Sequence, residues 1–295
     1  MYKKLVNSWE SRIKITINQL KYRVERNFVY KIVHKKDELI KKYIGKFVSC
    51  GEKDGHINLF EDLEIINPNK NYIFECEGKC VGAIIRDVAK IEVSKHFGTK
   101  IKVTINEKPN LIRGKSHASE GKMVGIGIRK NPKDRFTGNY AYNELGLNEE
   151  AKKICDHDGD TFGNWLYDYA KFHLPWTTVS YEEFKKNCNI DNNDMIGAVF
   201  CAENYKAIGH VDNDRSEWAI GYVYEEGVVE NGYFFYPEYG IAIKLTTNSI
   251  WCWKSDAVHG TADLDLSKGG TRYTAAITLT EKTARAFEVE KGLRE

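Results

Sequence analysis

The stretch CAENYKAIGHVDND (residues 201–214) reads as an extended strand that ends in a turn bearing a histidine and an aspartate two apart, His210 and Asp212. On extended backbone, side chains two apart point to the same face, so Val211 between them points away. Such a pair is either two polar groups at a strand end or two of the three ligands of a metal. The surroundings favour strands. MIGAVFCAENY (195–205) leads into the stretch, and WAIGYVY (218–224), YFFYP (233–237), GIAIKL (240–245), SIWCW (249–253) and RYTAAITLT (272–280) follow it. Asn231-Gly232 before YFFYP suits a tight hairpin turn. Strands recurring about every ten residues with no helix between them argue for a β-sandwich or jelly roll over a parallel α/β sheet.

Upstream the pattern differs. Residues 8–46 read as helix: no Pro, no Gly before Gly45, and apolar Ile13, Ile17, Leu20 and Val24 at helical spacing. From about residue 47 short extended pieces appear (YIFECEG, KIKVTI, MVGIGIR), separated by turn residues. A helical insert is expected over 146–172, and a further helix near 180–187, where Ser180 precedes YEEF in a capping-box pattern. The domain expectation is therefore a basic helical N-terminal extension, 1–46, and a β-rich domain, 47–295, with a helical insert near 146–190.

Composition sets the class. The 295 residues, 42% hydrophobic and 29% charged, suit a globular chain with a sizeable core. No run approaches the ~20 apolar residues of a spanning helix, and no apolar segment follows the basic N-terminus, so neither a membrane span nor a secretory signal is expected. Seven scattered cysteines, with Cys76 and Cys80 lacking a second pair, read as free thiols in a reducing compartment, nucleus or cytoplasm. The net charge is only +2, yet residues 1–46 hold 13 Lys/Arg against 4 Asp/Glu. That asymmetry marks either a nucleic-acid-facing element or a solvated helix surface.

A third ligand lies downstream. His259 follows the SIWCW strand, and His210, Asp212 and His259 together form the two-histidine, one-carboxylate set that holds Fe(II) and leaves one side open. The other cluster, Asp156-His157-Asp158-Gly159-Asp160, has the wrong spacing and reads as a loop. Arg272 opens the last strand, with Thr274 on the same face. A guanidinium and a hydroxyl so placed can clamp a carboxylate. A cofactor that chelates iron at one end and carries a carboxylate at the other would suit this arrangement, and 2-oxoglutarate is such a compound.

These residues, H-x-D…H…R-x-T, resemble the core of the Fe(II)/2-oxoglutarate-dependent dioxygenases on a double-stranded β-helix. Within that superfamily CAENYKAIGHVDND, NGYFFYPEYGIAIKL, WCWKSDAVHG and GGTRYT are most similar to the TET/JBP-type nucleic-acid-base oxygenases. The resemblance implies an α+β, mainly β fold, a double-stranded β-helix (jelly roll) with N-terminal and inserted helices. It implies Fe(II) at His210, Asp212 and His259, 2-oxoglutarate at Arg272 and Thr274, O2 as cosubstrate and ascorbate as a reductant. Halogenases of the superfamily replace the carboxylate with a small residue, so Asp212 implies hydroxylation. The implied substrate is a methylated base in nucleic acid, DNA before RNA. Methylcytosine oxidisers place Asn three residues after the metal-binding Asp, where this chain has Arg215, and an aromatic and a His where it has Thr278 and Thr280. For such a substrate Lys35, Lys36, Lys41 and Lys42 are candidate backbone contacts, with Arg215 and Lys206 closer to the metal. Tyr205 and Trp218 are candidate stacking residues, core packing being the plainer reading of both. Two other readings stand beside this one: a 2-oxoglutarate-dependent hydroxylase of a protein side chain or small molecule, and a non-enzymatic jelly-roll binding module.

Overall fold

A computed structural model describes residues 27–106, 118–139, 162–190 and 196–295. Thirteen strands form one continuous, strongly curled sheet. In chain order they are β1 (Phe28–Ile32), β2 (Glu64–Ile66), β3 (Asn71–Cys76), β4 (Lys79–Ile85), β5 (Ser119–Lys130), β6 (Thr137–Asn139), β7 (Ala198–His210), β8 (Trp218–Glu226), β9 (Tyr233–Tyr236), β10 (Ile241–Lys244), β11 (Ser249–Lys254), β12 (His259–Thr261) and β13 (Thr271–Thr278). The spatial order is β1-β3-β4-β11-β8-β13-β7-β12-β9-β10-β2, and β5 pairs with both β6 and β7. Helices α1 (Asp37–Tyr43), α2 (Ile91–Asn106), α3 (162–173), α4 (Val179–Asn187) and α5 (Glu281–Glu290) accompany it. None of the described helices is long and apolar enough to cross a membrane.

Strand β7 explains how one sheet makes two walls. Its first half pairs with β13, from Ala198↔Thr278 to Glu203↔Tyr273. Its second half pairs with β12, through Ala207↔Thr261 and His210↔His259. Between the halves Asn204 takes a left-handed φ of 49°, a conformation that Asn tolerates better than most residues. The larger wall, carrying β11, β8 and β13, therefore faces the smaller one of β12, β9 and β10. The expected double-stranded β-helix is the observed fold.

Three apolar clusters hold the layers. Between the walls sit Ala219, Val223, Phe234, Ile241, Ile243, Trp251 and Trp253. Outside the larger wall Ile220, Tyr222, Ala275 and Ile277 pack on Phe97 and Ile101 of α2, Trp165 and Leu166 of α3, and Tyr181 of α4. Outside the smaller wall Phe235 and Ala242 pack on Leu39 and Tyr43 of α1 and on Val48 and Leu59. The alternation along β8 and β13 sends each residue to one cluster or the other, as the two-residue period requires.

Several local expectations are corrected. Residues 8–26 lie outside the described residues, but Phe28–Ile32 is a strand, parallel to β3 from Phe28↔Asn71 to Ile32↔Glu75. Its aromatic and β-branched residues prefer that edge position to a helix, and only Asp37–Tyr43 of the expected helical span is helical here. KIKVTI is not extended: it ends α2, where Phe97, Ile101 and Ile105 recur every four residues on the buried face. Helix α4 begins at Val179 after Thr178, so Ser180 is not its cap; its hydroxyl accepts from the Glu217 amide at 3.0 Å. Asn231 and Gly232 both take positive φ, 59° and 65°, but join strands that pair with different partners, so they form a corner and no hairpin. The insert is described from residue 162, where it is helical; its earlier part, with the Asp156–Asp160 loop, lies outside the described residues. The six described cysteines are free thiols.

Candidate metal centre

His210 ends β7 and His259 opens β12, directly opposite each other in register, with imidazole centroids 4.6 Å apart. Asp212 lies two residues beyond the strand, where its amide donates to Ser255 O at 2.8 Å. Its Oδ1 stands 3.5 Å from His210 Nε2 and its Oδ2 3.2 Å from His259 Nε2. One ligand atom from each of the three residues can be chosen so that all lie within 4.8 Å of one another. The donor set is that of a facial triad.

Both rings are held alike. His210 Nδ1 is 2.8 Å from Ile208 O, and His259 Nδ1 is 2.8 Å from Ala257 O. A proton on each Nδ1 satisfies those carbonyls and turns Nε2, the atom that would bind a metal, toward Asp212, which is how backbone carbonyls orient metal-binding imidazoles. Burial disfavours the Asp212 carboxylate, but hydrogen bonds and charge from the two histidines outweigh it and hold its pKa well below the usual range. Burial likewise opposes protonation of His210, and Asp212 outweighs it, raising the His210 pKa above 6.5. The sign for metal binding follows: a cation displaces the extra proton of His210, so affinity falls as pH drops through that raised pKa. Titrating Zn(II) between pH 8 and 5 is expected to show up to about a tenfold loss per pH unit for one displaced proton; a flat profile would remove His210 from the ligand set.

The N-terminal segment touches this edge. Gly45 N donates to Gly209 O at 2.8 Å and Gly209 N to Lys46 O at 3.0 Å. A Cβ on Gly209 would lie 2.3 Å from Tyr43 O, so no side chain fits without moving the segment. Gly209→Ala is expected to cost roughly 1–3 kcal/mol by urea unfolding; wild-type stability would show that the segment is not docked there.

Arg272 and Thr274 face the same interior, but differently from the expected pair. Arg272, 1% exposed, directs Nε and Nη2 to Glu225 Oε1 at 2.9 and 2.7 Å, Nη2 also to Leu245 O at 3.0 Å, and Nη1 to Gly232 O. Its fork is thus occupied by the chain's own carboxylate, opposite it in register on β8, and the guanidinium bridges the two walls. Thr274 is half-buried and its hydroxyl makes no hydrogen bond to a described residue.

The other candidates disperse. Arg215 turns away to α5, 3.2 Å from Glu281 and 2.5 Å from Glu288, because two carboxylates there outcompete solvent. Trp218 is 3% exposed in the outer cluster, with Lys254 over its ring, so it has no free face for a base. Tyr205 is half-buried on β7. Lys206 is 2.9 Å from both Glu120 and Asp263. Lys35 lies 3.4 Å from Glu238 and Lys42 2.6 Å from Asp62; Lys41 is exposed and Lys36 half-buried. Thr278 donates to Asp214, and Thr280 caps α5 by accepting from the Thr283 amide.

Two further residues matter here that the sequence does not single out. Trp253 Nε1 donates to His259 Nε2 at 3.1 Å, a hydrogen bond that a metal bound at that nitrogen would replace, and Glu225 holds Arg272. The W-x-W spacing six residues before His259 is a visible signal for the first. The second needs the strand register.

No family model matches this chain, and no curated protein does. Among solved structures, NgTET1 in complex with 5mC DNA superposes with a TM-score of 0.52 at 12% identity, over 84% of this chain and 89% of that one. The fold is that of the Fe(II)/2-oxoglutarate dioxygenases. Fainter likenesses include a Pseudomonas putida prolyl-4-hydroxylase (TM-score 0.40, 8% identity, 68% of this chain and 92% of that one) and JOX2 in complex with 2OG, Fe and JA (0.41, 8%, 87% and 76%). On this dioxygenase fold the His-Asp-His cluster stands where the two walls meet, at the end of β7.

Proposed function

We propose that the protein is an Fe(II)- and 2-oxoglutarate-dependent dioxygenase that hydroxylates a C–H bond, with a methylated base in DNA, or in RNA, as its substrate. The observation that carries the reading is the convergence of His210, Asp212 and His259 on the double-stranded β-helix, with both Nε2 atoms turned inward by backbone carbonyls. When bound, iron with 2-oxoglutarate and O2 supplies the oxidising power, releasing succinate and CO2. The chain's part is to hold and orient. Asp212 remains ionised and offers its oxygens between the imidazoles, while Trp253 and Phe234 pack around His259 and keep that side dry. Thr274 offers a free hydroxyl to the distal carboxylate, and Arg272 supplies positive charge and the one guanidinium N–H not already engaged with described residues.

The base as substrate is supported by the sequence resemblance, by the likeness to a fold that was solved on 5mC DNA, and by exposed Lys41 with Lys36 on α1 and before it. A base in duplex must leave the stack to reach such a site. The commitment of Arg215, Thr278 and Thr280 to internal contacts favours the second reading, a hydroxylase of a protein side chain or small molecule. Mass spectrometry of nucleosides from DNA and RNA incubated with protein, Fe(II), ascorbate and 2-oxoglutarate separates them. A new oxidised nucleoside is expected, together with binding that weakens with salt. Neutralising Lys36 and Lys41 should flatten the salt slope by up to about 0.9 for each phosphate that no longer meets a lysine. Neither oxidised nucleoside nor salt-sensitive binding would leave the second reading.

A further inference from the structure

Trp251 and Trp253 stand two apart on β11, both directed between the walls, their rings stacked 5.5 Å apart at 14°. The Trp253 N–H is used by His259. The Trp251 N–H is not used: Trp251 is 5% exposed, and its Nε1 is shut off from solvent without a hydrogen-bond partner. Buried donors are almost always paired, and buried indoles ordinarily find an acceptor, so an orphan here calls for a partner from outside the chain.

Its position says which. The sheet register runs Trp251↔Gly221, Gly221↔Ala276 and Ala276↔Phe200 across β11, β8, β13 and β7. Gly221 makes room for the indole; a Cβ there would lie 2.5 Å from the Trp251 ring. One row toward the metal stands Trp253, opposite Ala219. One row the other way Val223 faces Thr274, and beyond them Glu225 faces Arg272. Rows on one face are about 6.6–6.8 Å apart. The Trp251 row therefore lies between the metal ligands and the Thr274–Arg272 end, and Ala276 on that row and Thr274 on the next keep solvent access although they sit inside the sheet. Because the Arg272 fork is held by Glu225, a dicarboxylate lying there needs further donors.

We propose that the indole N–H of Trp251 donates a hydrogen bond to an oxygen of the bound 2-oxo dicarboxylate, which makes Trp251 a cosubstrate-binding residue. The assignment rests on the dioxygenase reading. It is tested without turnover, by anaerobic equilibrium binding of 2-oxoglutarate to the Zn(II)-loaded protein. Trp251→Phe keeps an aromatic ring and removes the N–H, so the cosubstrate Kd is expected to rise about 10- to 100-fold, the range for a hydrogen bond to a charged group, with Zn(II) affinity unchanged. A merely structural role would weaken both. In wild-type protein labelled at the indole nitrogens, the Trp251 resonance, assigned from its contacts with Gly221, is expected to shift when 2-oxoglutarate is added; this measurement stands even if the variant fails to fold. Wild-type binding with an unmoved Trp251 resonance, or a variant that binds as tightly as wild type, overturns the assignment alone. No binding of 2-oxoglutarate by the wild-type protein overturns both the assignment and the dioxygenase reading beneath it.

Discussion

His259→Ala is expected to empty the metal centre and leave the sheet standing. The imidazole is one of the three candidate protein ligands and one of the two histidine partners that keep Asp212 ionised. Loss of a residue that merely orients a ligand costs about 10–100-fold in metal affinity, so loss of a ligand itself should cost on the order of 100-fold or more. The fold should survive because His259 lies at the short end of β12, while the clusters on both faces of the larger wall are untouched. The packing it gives up is against His210, Trp253 and Phe234, with ring centroids 4.6, 5.4 and 5.6 Å away, together with the hydrogen bond from Trp253 Nε1. Elemental analysis after gel filtration, with circular dichroism on the same sample, checks both halves; undiminished iron in a folded variant would remove His259 from the site.

Arg272→Ala is expected to act on the fold as much as on the cosubstrate. The substitution leaves Glu225, with a side chain 13% exposed, as a charge without its partner and strips donors from the Gly232 and Leu245 carbonyls. Removing one member of a buried ion pair typically costs about 3–5 kcal/mol, whereas replacing both by apolar or neutral groups is often tolerated. Arg272→Met with Glu225→Gln should therefore recover much of the stability that Arg272→Ala loses in urea unfolding. Glu225→Gln alone should keep the fold and loosen the hold on the guanidinium, which makes it the variant in which the contribution of Arg272 to cosubstrate binding is best read. If Arg272→Ala unfolds at the wild-type urea concentration, the bridge between the walls carries no stability.

What is legible in the sequence follows from the range of the forces involved. Alternation along 218–224 and 272–280 is a local property, and both segments form strands, Trp218–Glu226 and Thr271–Thr278, with Arg272 and Thr274 on one face as expected. The ligand set is legible because its spacing is set by strand and turn lengths. Segments whose local preference yields to a distant partner are not. KIKVTI, rich in β-branched residues, is helical because Phe97, Ile101 and Ile105 bury against the sheet, whereas Phe28–Ile32 follows its local strand preference but has its pairing partner, β3, more than 40 residues on. Site residues are hidden for the same reason. Arg272 is recognisable as a carboxylate clamp, but that its carboxylate is Glu225 depends on the pairing of β8 with β13. Arg215 reads as a substrate contact until α5 brings Glu281 and Glu288 against it.

The central claim, that the triad makes this fold an oxygenase, is tested most directly by oxygen-dependent conversion of 2-oxoglutarate to succinate. Iron-loaded wild-type protein should release succinate in air and none under nitrogen, and Asp212→Ala should release none in either, since it lacks the carboxylate between the two imidazoles. Wild-type protein that binds iron and yields no succinate in air, or an Asp212→Ala variant as active as wild type, would contradict the account.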